Sequence, residues 1–332
     1  MSGRLAGKRV LVTGAGGFIG SHLVQALASE GASVRALLRY NAEASIGNLR
    51  FVERDLLATI KPVHGDLNDG EFVRGLVAGC DIVFHLGALI AIPYSYEAPR
   101  SYLTTNVGGT LNVLEAVRAS GSARLVHAST SEVYGSARYI PIDEAHPLQA
   151  QSPYAATKIA AERLIESYVR SFGIHAVIVR PFNTFGPRQS ARAIIPAVIG
   201  QALGRPAAIQ LGATTPIRDL TYVTDTVSGF VAAALSDQTL GGCYNLGSGR
   251  SISIGDLART ILKVMQVEAR IDVDPQRVRP ERSEVDRLVS SNAAFTAATG
   301  WQPVIDIEEG VRRTIAFFQE NPALLPRTGY AR

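Results

Sequence analysis

The stretch R-V-L-V-T-G-A-G-G-F-I-G, residues 9–20, decides the fold. Its first five residues are rich in β-formers, and the glycines after them lead directly into an amphipathic segment, so strand, turn and helix are predicted in that order. Gly14, Gly17 and Gly20 fit the spacing G-x-x-G-x-x-G. Such glycines allow a tight turn, let the backbone approach a pyrophosphate and let the helix pack close to the strand. In this context the spacing favours dinucleotide binding over a purely structural turn.

Strands and helices alternate through the first half of the chain. Near-continuously apolar runs such as Ile82–Leu86 and Arg124–Ala128 are typical of strands in a parallel sheet that is covered on both faces. A long helix is expected between them, over about residues 98–120. We therefore predict an α/β fold: a Rossmann-type doubly wound parallel sheet over residues 1–182, followed by a smaller C-terminal substrate-binding lobe, residues 183–332, that interleaves with it.

Ligands of such sheets bind outside the carboxyl ends of the strands. Arg39 ends the second strand, where an acid commonly holds the ribose 2′-hydroxyl; an arginine there accepts the 2′-phosphate of NADP or tolerates NAD. Asp66 follows the third strand and is a candidate for the adenine amino group, with the N-cap of the next helix as its alternative role. We expect NAD as the cofactor, with NADP as the alternative. The candidate cofactor-binding residues are Gly14, Gly17, Phe18, Ile19, Gly20, Arg39, Asp66, Leu67, Leu86, Gly87, Ala88, Asn106, Tyr154, Lys158 and Pro181.

Residues 129–158 contain a second set of polar side chains that suits proton transfer. Tyr154 and Lys158 are four residues apart on a predicted helix, so both side chains project from one face. A lysine charge beside a phenol favours the phenolate, which makes the tyrosine a candidate base. A Y-x-x-x-K pair alone is more often a surface feature, but this pair follows the carboxyl end of a predicted sheet strand. The candidate catalytic residues are Ser129, Thr130, Ser131, Glu132, Tyr154 and Lys158.

The composition restricts the remaining classes of function. The 332 residues are 46% hydrophobic and 19% charged, with a net charge of +4 spread along the chain, so we expect a globular protein that does not bind nucleic acid. Cys80 and Cys243 are far apart, so neither a disulfide framework nor a metal site is expected. The first residues contain no apolar leader, and no run reaches about 18 apolar residues. We therefore expect a cytoplasmic protein without a membrane span.

The glycine turn, the Y-x-x-x-K pair, the upstream hydroxyls and F-N-T-F-G-P-R at 182–188 together resemble the extended short-chain dehydrogenases/reductases of the NAD-dependent epimerase/dehydratase family, which act on nucleotide sugars. The resemblance covers essentially the whole chain. It implies that Ser129 or Thr130 holds the sugar O4, Tyr154 removes its proton and hydride leaves C4 for the cofactor. It also implies that Lys158 orients the nicotinamide ribose. The candidate residues for a nucleotide-diphosphate sugar are Asn183, Arg192, Arg218 and Arg279.

Glu132 decides the step after oxidation at C4. The string T-S-E-V-Y-G, residues 130–135, resembles that of the 4,6-dehydratases, lyases in which a carboxylate removes the C5 proton, the C6 hydroxyl leaves as water and hydride returns to C6. Ser131 stands where glucose-specific dehydratases carry an aspartic acid that protonates the leaving hydroxyl, whereas GDP-mannose dehydratases share the Ser-Glu form. UDP-glucuronate decarboxylases carry the same string, and a sugar 4-epimerase is a further alternative. A non-catalytic dinucleotide-sensing regulator is disfavoured, because it has no need for Tyr154 and Lys158 together.

Longer strings point to a particular substrate class. The strings L-I-A-I-P-Y-S-Y at 89–96, P-L-Q-A-Q-S-P-Y-A-A-T-K at 147–158 and R-P-E-R-S-E-V at 279–285 are most similar to nucleotide-diphospho-N-acetylglucosamine 4,6-dehydratases of legionaminic acid and related amino-sugar pathways. We therefore expect a dehydratase that acts on UDP- or GDP-N-acetylglucosamine. The resemblance also implies a homodimer formed through the helices at about 98–120 and 154–172.

Overall fold

The computed structural model describes residues 3–121, 123–275 and 286–325. The strands are β1 Arg9–Thr13, β2 Ser33–Arg39, β3 Lys61–Gly65, β4 Ile82–His85, β5 Arg124–Ala128, β6 Ala176–Pro181, β7 Asn183–Phe185, β8 Ala208–Leu211, β9 Ile217–Tyr222, β10 Cys243–Leu246, β11 Ser251–Ser253, β12 Arg270–Val273 and β13 Arg287–Leu288.

Helices connect most of these strands. They are α1 Phe18–Ser29, α2 Arg54–Leu57, α3 Gly70–Val77, α4 Ile92–Glu97, α5 Pro99–Tyr102, α6 Gly109–Ser120, α7 Pro153–Phe172, α8 Ile194–Leu203, α9 Val223–Leu235, α10 Ile254–Met265, α11 Ala293–Thr299 and α12 Ile307–Glu320. A π-helical segment, Leu103–Gly108, lies between α5 and α6, and short 3-10 turns cover Gly47–Phe51, Ser131–Tyr134, Asp237–Thr239 and Pro322–Leu324. In the part of the chain that the structure describes, no helix combines the length and apolarity that a bilayer crossing requires.

The main sheet has seven parallel strands in the order β10-β6-β5-β4-β1-β2-β3. The predicted Rossmann-type parallel sheet is therefore confirmed. Its central strands are apolar because helices cover both faces, and all four residues of β4 are buried. The chain reverses its direction of winding between β1 and β4, which places the carboxyl ends of these two strands at the switch point where such sheets bind ligands.

The long helix expected over about residues 98–120 is present. It consists of α5, the π-helical segment Leu103–Gly108 and α6, which follow one another without a gap from Pro99 to Ser120. The segment holds Asn106, whose amide accepts from the backbone nitrogen of Leu89 at 2.8 Å and donates to its carbonyl at 3.0 Å. A π-helical segment is a local departure that often occurs at functional sites. Here it carries the residue that braces the loop after β4.

The second half of the chain builds a smaller lobe around β9, which pairs with β7, β11 and β13. A separate parallel pair joins β8 and β12. Two elements from this half join the main sheet: β10 pairs with β6, and α9 packs against β5 and β6. One apolar cluster therefore runs from Val10 and Val12 in β1 to Phe230 in α9 and Phe318 in α12, so the two halves share a core.

Candidate active site

The glycine turn after β1 lies against the end of β4. Gly14 has a φ of +70°, and a Cβ there would lie 2.9 Å from the backbone nitrogen of Gly87. A Cβ on Gly20 would lie 2.2 Å from the carbonyl oxygen of Gly14. The first turn of α1, which begins at Phe18, contains no acidic residue, and its N-cap makes no side-chain hydrogen bond. Its free N–H groups suit an anion, so the turn fits the pyrophosphate of a dinucleotide.

The remaining cofactor candidates lie in α1, at the ends of sheet strands or in the loops that follow them. Gly87 donates its N–H to Thr13 Oγ1 at 2.9 Å, which fixes the loop after β4. Leu67 is buried against the same loop, and Arg39 is exposed at the end of β2. Phe18, Ile19 and Leu86 are partly buried against the apolar core, while Pro181 ends β6 and Ala88 follows Gly87.

The structure corrects one alternative for Asp66. Its Oδ1 accepts from the backbone nitrogen of Asn68 at 2.9 Å, so the side chain closes the turn after β3. The N-cap of α3 is Asp69, whose Oδ1 accepts from the backbone nitrogen of Phe72 at 3.1 Å. The N-cap role considered for Asp66 was therefore wrong, because the helix begins three residues later than that role requires. Asp66 lies at the end of β3, where its role towards adenine stays a prediction.

Tyr154, Thr130 and Glu132 converge beyond the end of β5. Tyr154 lies in the first turn of α7, which is capped by Ser152, whose Oγ accepts from the backbone nitrogen of Ala155 at 3.1 Å. Burial raises the pKa of the Tyr154 phenol, a hydrogen bond with Thr130 lowers it, and the Glu132 carboxylate raises it further. Thr130 Oγ1 also accepts from the backbone nitrogen of Glu132 at 3.2 Å. One short turn thus positions a hydroxyl and a carboxylate beside a protonated phenol.

Lys158 is buried and anchored to β5. Its Nζ donates to the carbonyl oxygen of Ala128 at 2.7 Å and lies 3.2 Å from Nε2 of His127. Burial lowers the pKa of Lys158 to about 8, and the Glu162 carboxylate opposes this shift. Sequence reasoning missed His127. Its position immediately before the hydroxyl-rich turn, as a polar residue in an apolar strand, is the signal that identifies it.

Ser129 and Thr130 face different surroundings. The Ser129 hydroxyl donates to Glu162 Oε1 at 2.5 Å, whereas Thr130 is hydrogen-bonded to Tyr154. Glu162 is fully buried and forms a bidentate pair with Arg180, with Nε to Oε1 at 2.9 Å and Nη2 to Oε2 at 2.6 Å. Of the two hydroxyls considered for the sugar O4, Thr130 is therefore the one placed beside the phenol. The charged pair below them was also missed from the sequence.

We expect that replacing Arg180 by methionine lowers the free energy of unfolding by about 3–5 kcal/mol, because Glu162 then stays buried without its partner. Urea denaturation followed by circular dichroism measures the change. The matched control is Arg259→Met, which removes an exposed pair with Asp256 at 2.7 Å and should cost less than about 1 kcal/mol. Equal losses in the two variants would contradict the prediction.

Three of the four substrate candidates line a cavity of about 340 Å³, whose described lining consists of Glu132 and residues within 183–254. Glu132 lies at its wall together with Asn183, Arg192 and Arg218. Gln189, which the sequence analysis missed, also lines it, and its Oε1 has no hydrogen-bond partner among the described residues. Within the described lining, Glu132 is the only acidic residue. Arg279, the fourth substrate candidate, lies outside the described residues.

No metal centre is visible in the ranges that the structure describes. Across those ranges, no group of three or more His, Cys, Asp or Glu side chains is arranged to hold a metal ion. Cys80 and Cys243 are both free thiols.

A switch-point sheet with a pyrophosphate turn, a buried phenol-hydroxyl-carboxylate set and an adjacent cationic cavity defines an enzyme of the short-chain dehydrogenase/reductase type, in its epimerase/dehydratase class. The family model described as GDP-mannose 4,6 dehydratase matches residues 11–314. The chain belongs to this family. Its relatives are nucleotide-sugar dehydratases, and proteins of similar structure include sugar epimerases.

Individual relatives agree with this assignment. The dTDP-glucose 4,6-dehydratase of Mycolicibacterium smegmatis is 34% identical over 324 residues, covering 94% of each chain. The structure of TunA, an NAD-dependent NDP-hexosamine 5,6-dehydratase of tunicamycin biosynthesis, is 30% identical with a TM-score of 0.81 and covers 94% of this chain and 98% of that one. UDP-glucuronic acid 4-epimerase from Bacillus cereus, solved with NAD, is 27% identical with a TM-score of 0.85 and covers 94% of this chain and 99% of that one. These neighbours support NAD as the cofactor, and the role of Arg39 towards NADP stays a prediction.

Proposed function

We propose that the chain is a nucleotide-sugar 4,6-dehydratase that converts a nucleotide-diphosphate hexose to its 4-keto-6-deoxy derivative. The observation that carries this proposal is the position of Glu132, the sole acidic residue in the described cavity lining, beside Tyr154. NAD, when bound, supplies the acceptor and later the donor of the hydride together with a positive charge near the phenol. The cofactor is regenerated in each turnover.

Oxidation at C4 uses the groups at the end of β5. Thr130 holds the sugar O4 through the hydroxyl that contacts Tyr154. Tyr154 takes the O4 proton as the C4 hydrogen leaves as hydride. We assign to the Lys158 charge the role of favouring the phenolate that this step needs, which burial of the phenol opposes. Arg192, Arg218 and Asn183 supply the polar wall that suits a diphosphate.

Elimination then uses Glu132. The 4-keto group acidifies the C5 proton, which the carboxylate removes as the C6–O bond breaks and the C5–C6 double bond forms. Because the described lining contains no second acid and a serine hydroxyl such as that of Ser131 is a far weaker acid, we assign to Glu132 the protonation of the leaving oxygen as well. Water departs and Glu132 is again a carboxylate. Hydride returns to C6, and the proton that C5 takes up balances the one that Tyr154 took from O4.

For the substrate we propose UDP- or GDP-N-acetylglucosamine, in a pathway of the legionaminic acid type. The strings at 89–96 and 147–158 support this choice, and the name of TunA shows that one relative acts on a nucleotide-linked hexosamine. The epimerase neighbours make a 4-epimerase the second candidate. An epimerase needs no base over C5, so the position of Glu132 favours dehydration.

Product masses test the proposal. Incubation of the purified protein with UDP- and GDP-N-acetylglucosamine should give a product lighter by one water, with no net formation of reduced nicotinamide. UDP-glucuronate and UDP-glucose serve as comparison substrates. A product of unchanged mass with C4 inverted would identify a 4-epimerase, and loss of carbon dioxide from the glucuronate would identify a decarboxylase; either result would overturn the dehydratase assignment.

We also propose that the chain forms a homodimer through α5, α6 and α7. Leu103, Leu111 and Phe172 expose 56%, 39% and 49% of their surface on or next to these helices, which is a substantial apolar area for three neighbouring elements. We expect light scattering at micromolar concentration to give the mass of a dimer. Leu111→Glu should shift the protein towards the monomer, whereas Val304→Glu, at an apolar residue that is 78% exposed elsewhere, should not. A monomeric wild-type protein would refute this arrangement.

A further inference from the structure

A row of buried polar side chains crosses the sheet beneath the site. Thr13, His85 and His127 are register partners on β1, β4 and β5, and Lys158 of α7 contacts the last of them. All four side chains are buried. Apolar residues would fill a parallel sheet without the cost of burying polar groups. Each member of the row therefore calls for an explanation from its hydrogen bonds.

The hydrogen bonds of His85 explain its burial, because both ring nitrogens are paired with threonine hydroxyls. Thr13 Oγ1 accepts from the Gly87 nitrogen and also lies 2.8 Å from His85 Nδ1. Thr110 Oγ1 donates to the Asn106 carbonyl at 2.6 Å and so accepts from His85 Nε2 at 3.1 Å. His85 is therefore a neutral ring with its proton on Nε2. Burial lowers its pKa to about 3, and the nearby lysine charge adds to this effect.

His127 differs because its partner is a cation. Its Nε2 lies 3.2 Å from Lys158 Nζ, while its Nδ1 has no hydrogen-bond partner among the described residues. An ammonium group has only donors, so Nε2 must accept and the ring proton must lie on Nδ1. Burial, with the Lys158 charge and then His85, holds the pKa of His127 well below its usual value, which keeps the ring neutral. Its contact with Lys158 is thus the polar interaction that fixes the ring.

We propose that His127 is a positioning residue for Lys158. Together with the Ala128 carbonyl, His127 accepts from two of the three ammonium N–H groups, so that the third N–H is directed towards Tyr154. This inference rests on the proposed roles of Lys158 and Tyr154 in oxidation at C4. A neutral acceptor suits the position, because a carboxylate in its place would cancel the charge that favours the phenolate.

The other charged groups around Lys158 are consistent with this role. Glu162, one turn further along α7, is already held by two hydrogen bonds from Arg180 and one from Ser129. The Glu132 carboxylate acts on Tyr154 and lies at the cavity wall. His85 is neutral. The orientation of the ammonium group therefore depends on the two acceptors of β5, His127 and the Ala128 carbonyl.

Two substitutions separate positioning from packing. His127→Gln keeps a neutral acceptor and should keep the break near pH 8 at which the kcat profile levels off, whereas His127→Leu removes the acceptor. Loss of a hydrogen bond to a charged group should lower the pKa of Lys158 and move that break down by about 1–2 pH units, with a roughly tenfold or greater fall in kcat at neutral pH and little change in KM. His85→Gln is the matched control: it should lower the thermal unfolding temperature without moving that break.

A spectroscopic measurement tests the contact without catalysis. In the ¹⁵N-histidine spectrum of the full-length protein, His127 should carry its proton on Nδ1 and His85 on Nε2, and Lys158→Met should shift the Nε2 resonance of His127. A proton on Nε2 of His127, or a resonance unaffected by Lys158→Met, would overturn the inference, as would identical pH profiles for His127→Leu and the wild type. If no nucleotide sugar is dehydrated, the proposed function fails while the spectrum still decides the role of His127.

Discussion

Replacing Glu132 by glutamine should stop the loss of water while oxidation at C4 continues. The amide keeps the size of the side chain but cannot take a proton from C5, and general acid–base groups contribute about 10²–10⁴-fold to such steps. Formation of the dehydrated product should therefore fall by about 10³-fold. Because hydride can still leave C4, reduced nicotinamide should accumulate, and its absorbance in stopped-flow mixing measures the first step directly.

The control for this variant is Glu268→Gln, which changes an exposed glutamate beyond α10 and should leave both steps unchanged. A wild-type yield of dehydrated product from Glu132→Gln would show that another group takes the C5 proton. The single acidic residue of the described cavity lining could then no longer be assigned both half-steps of elimination.

Replacing Tyr154 by phenylalanine should block the sequence one step earlier. The ring still fills its buried position, but the acceptor of the O4 proton is gone, so C4 oxidation should fall by at least about 10²-fold without accumulation of reduced nicotinamide. The double variant with Glu132→Gln should behave like Tyr154→Phe. Tyr139→Phe, at an exposed tyrosine that donates to Asp143, serves as the control. Accumulation of reduced nicotinamide at the wild-type rate in Tyr154→Phe would exclude Tyr154 as the base.

The wild-type rate should depend on pH through Tyr154 and Lys158. Burial raises the pKa of Tyr154, so the rate should rise as the pH increases and the phenol ionises more readily. Lys158 is charged below its lowered pKa of about 8 and neutral above it, so its help is lost on the alkaline side. A profile of kcat/KM against pH should therefore rise up to about pH 8 and level off above it, because the gain of phenolate is then offset by the loss of the ammonium charge. Lys158→Met should abolish this break near pH 8.

Local patterns sufficed to predict the sheet and its glycine turn. The strands Arg9–Thr13 and Arg124–Ala128 have the bounds that their sequence runs indicated, because the buried residues of a strand covered on both faces are mostly apolar. The helix from Pro153 likewise follows from its cap and proline. These features are set by residues that are close together in the chain, so they can be predicted from local sequence patterns.

Other features depend on partners that are distant in sequence. Which hydroxyl faces the phenol is decided by Glu162, which binds Ser129 from 33 residues away and so leaves Thr130 beside Tyr154. The π-helical segment at 103–108 carries Asn106, which contacts Leu89 in the loop after β4. The role that we infer for His127 depends on its contact with Lys158, which is 31 residues further along the chain. None of these contacts has a signature in local periodicity.

The outermost position of β10 in the main sheet has a consequence for how the chain must be made. This strand pairs with β6, although residues 182–242 lie between them. During synthesis, β6 therefore presents an unpaired edge until Leu246 has left the ribosome, and unpaired edges are prone to aggregation. A chimera joined after residue 182 would pair β6 of one parent with β10 of the other. When relatives are recombined, Cys243–Leu246 and α9 should therefore come from the same parent as the cofactor-binding half. The segment between β6 and α9 can then be exchanged by itself.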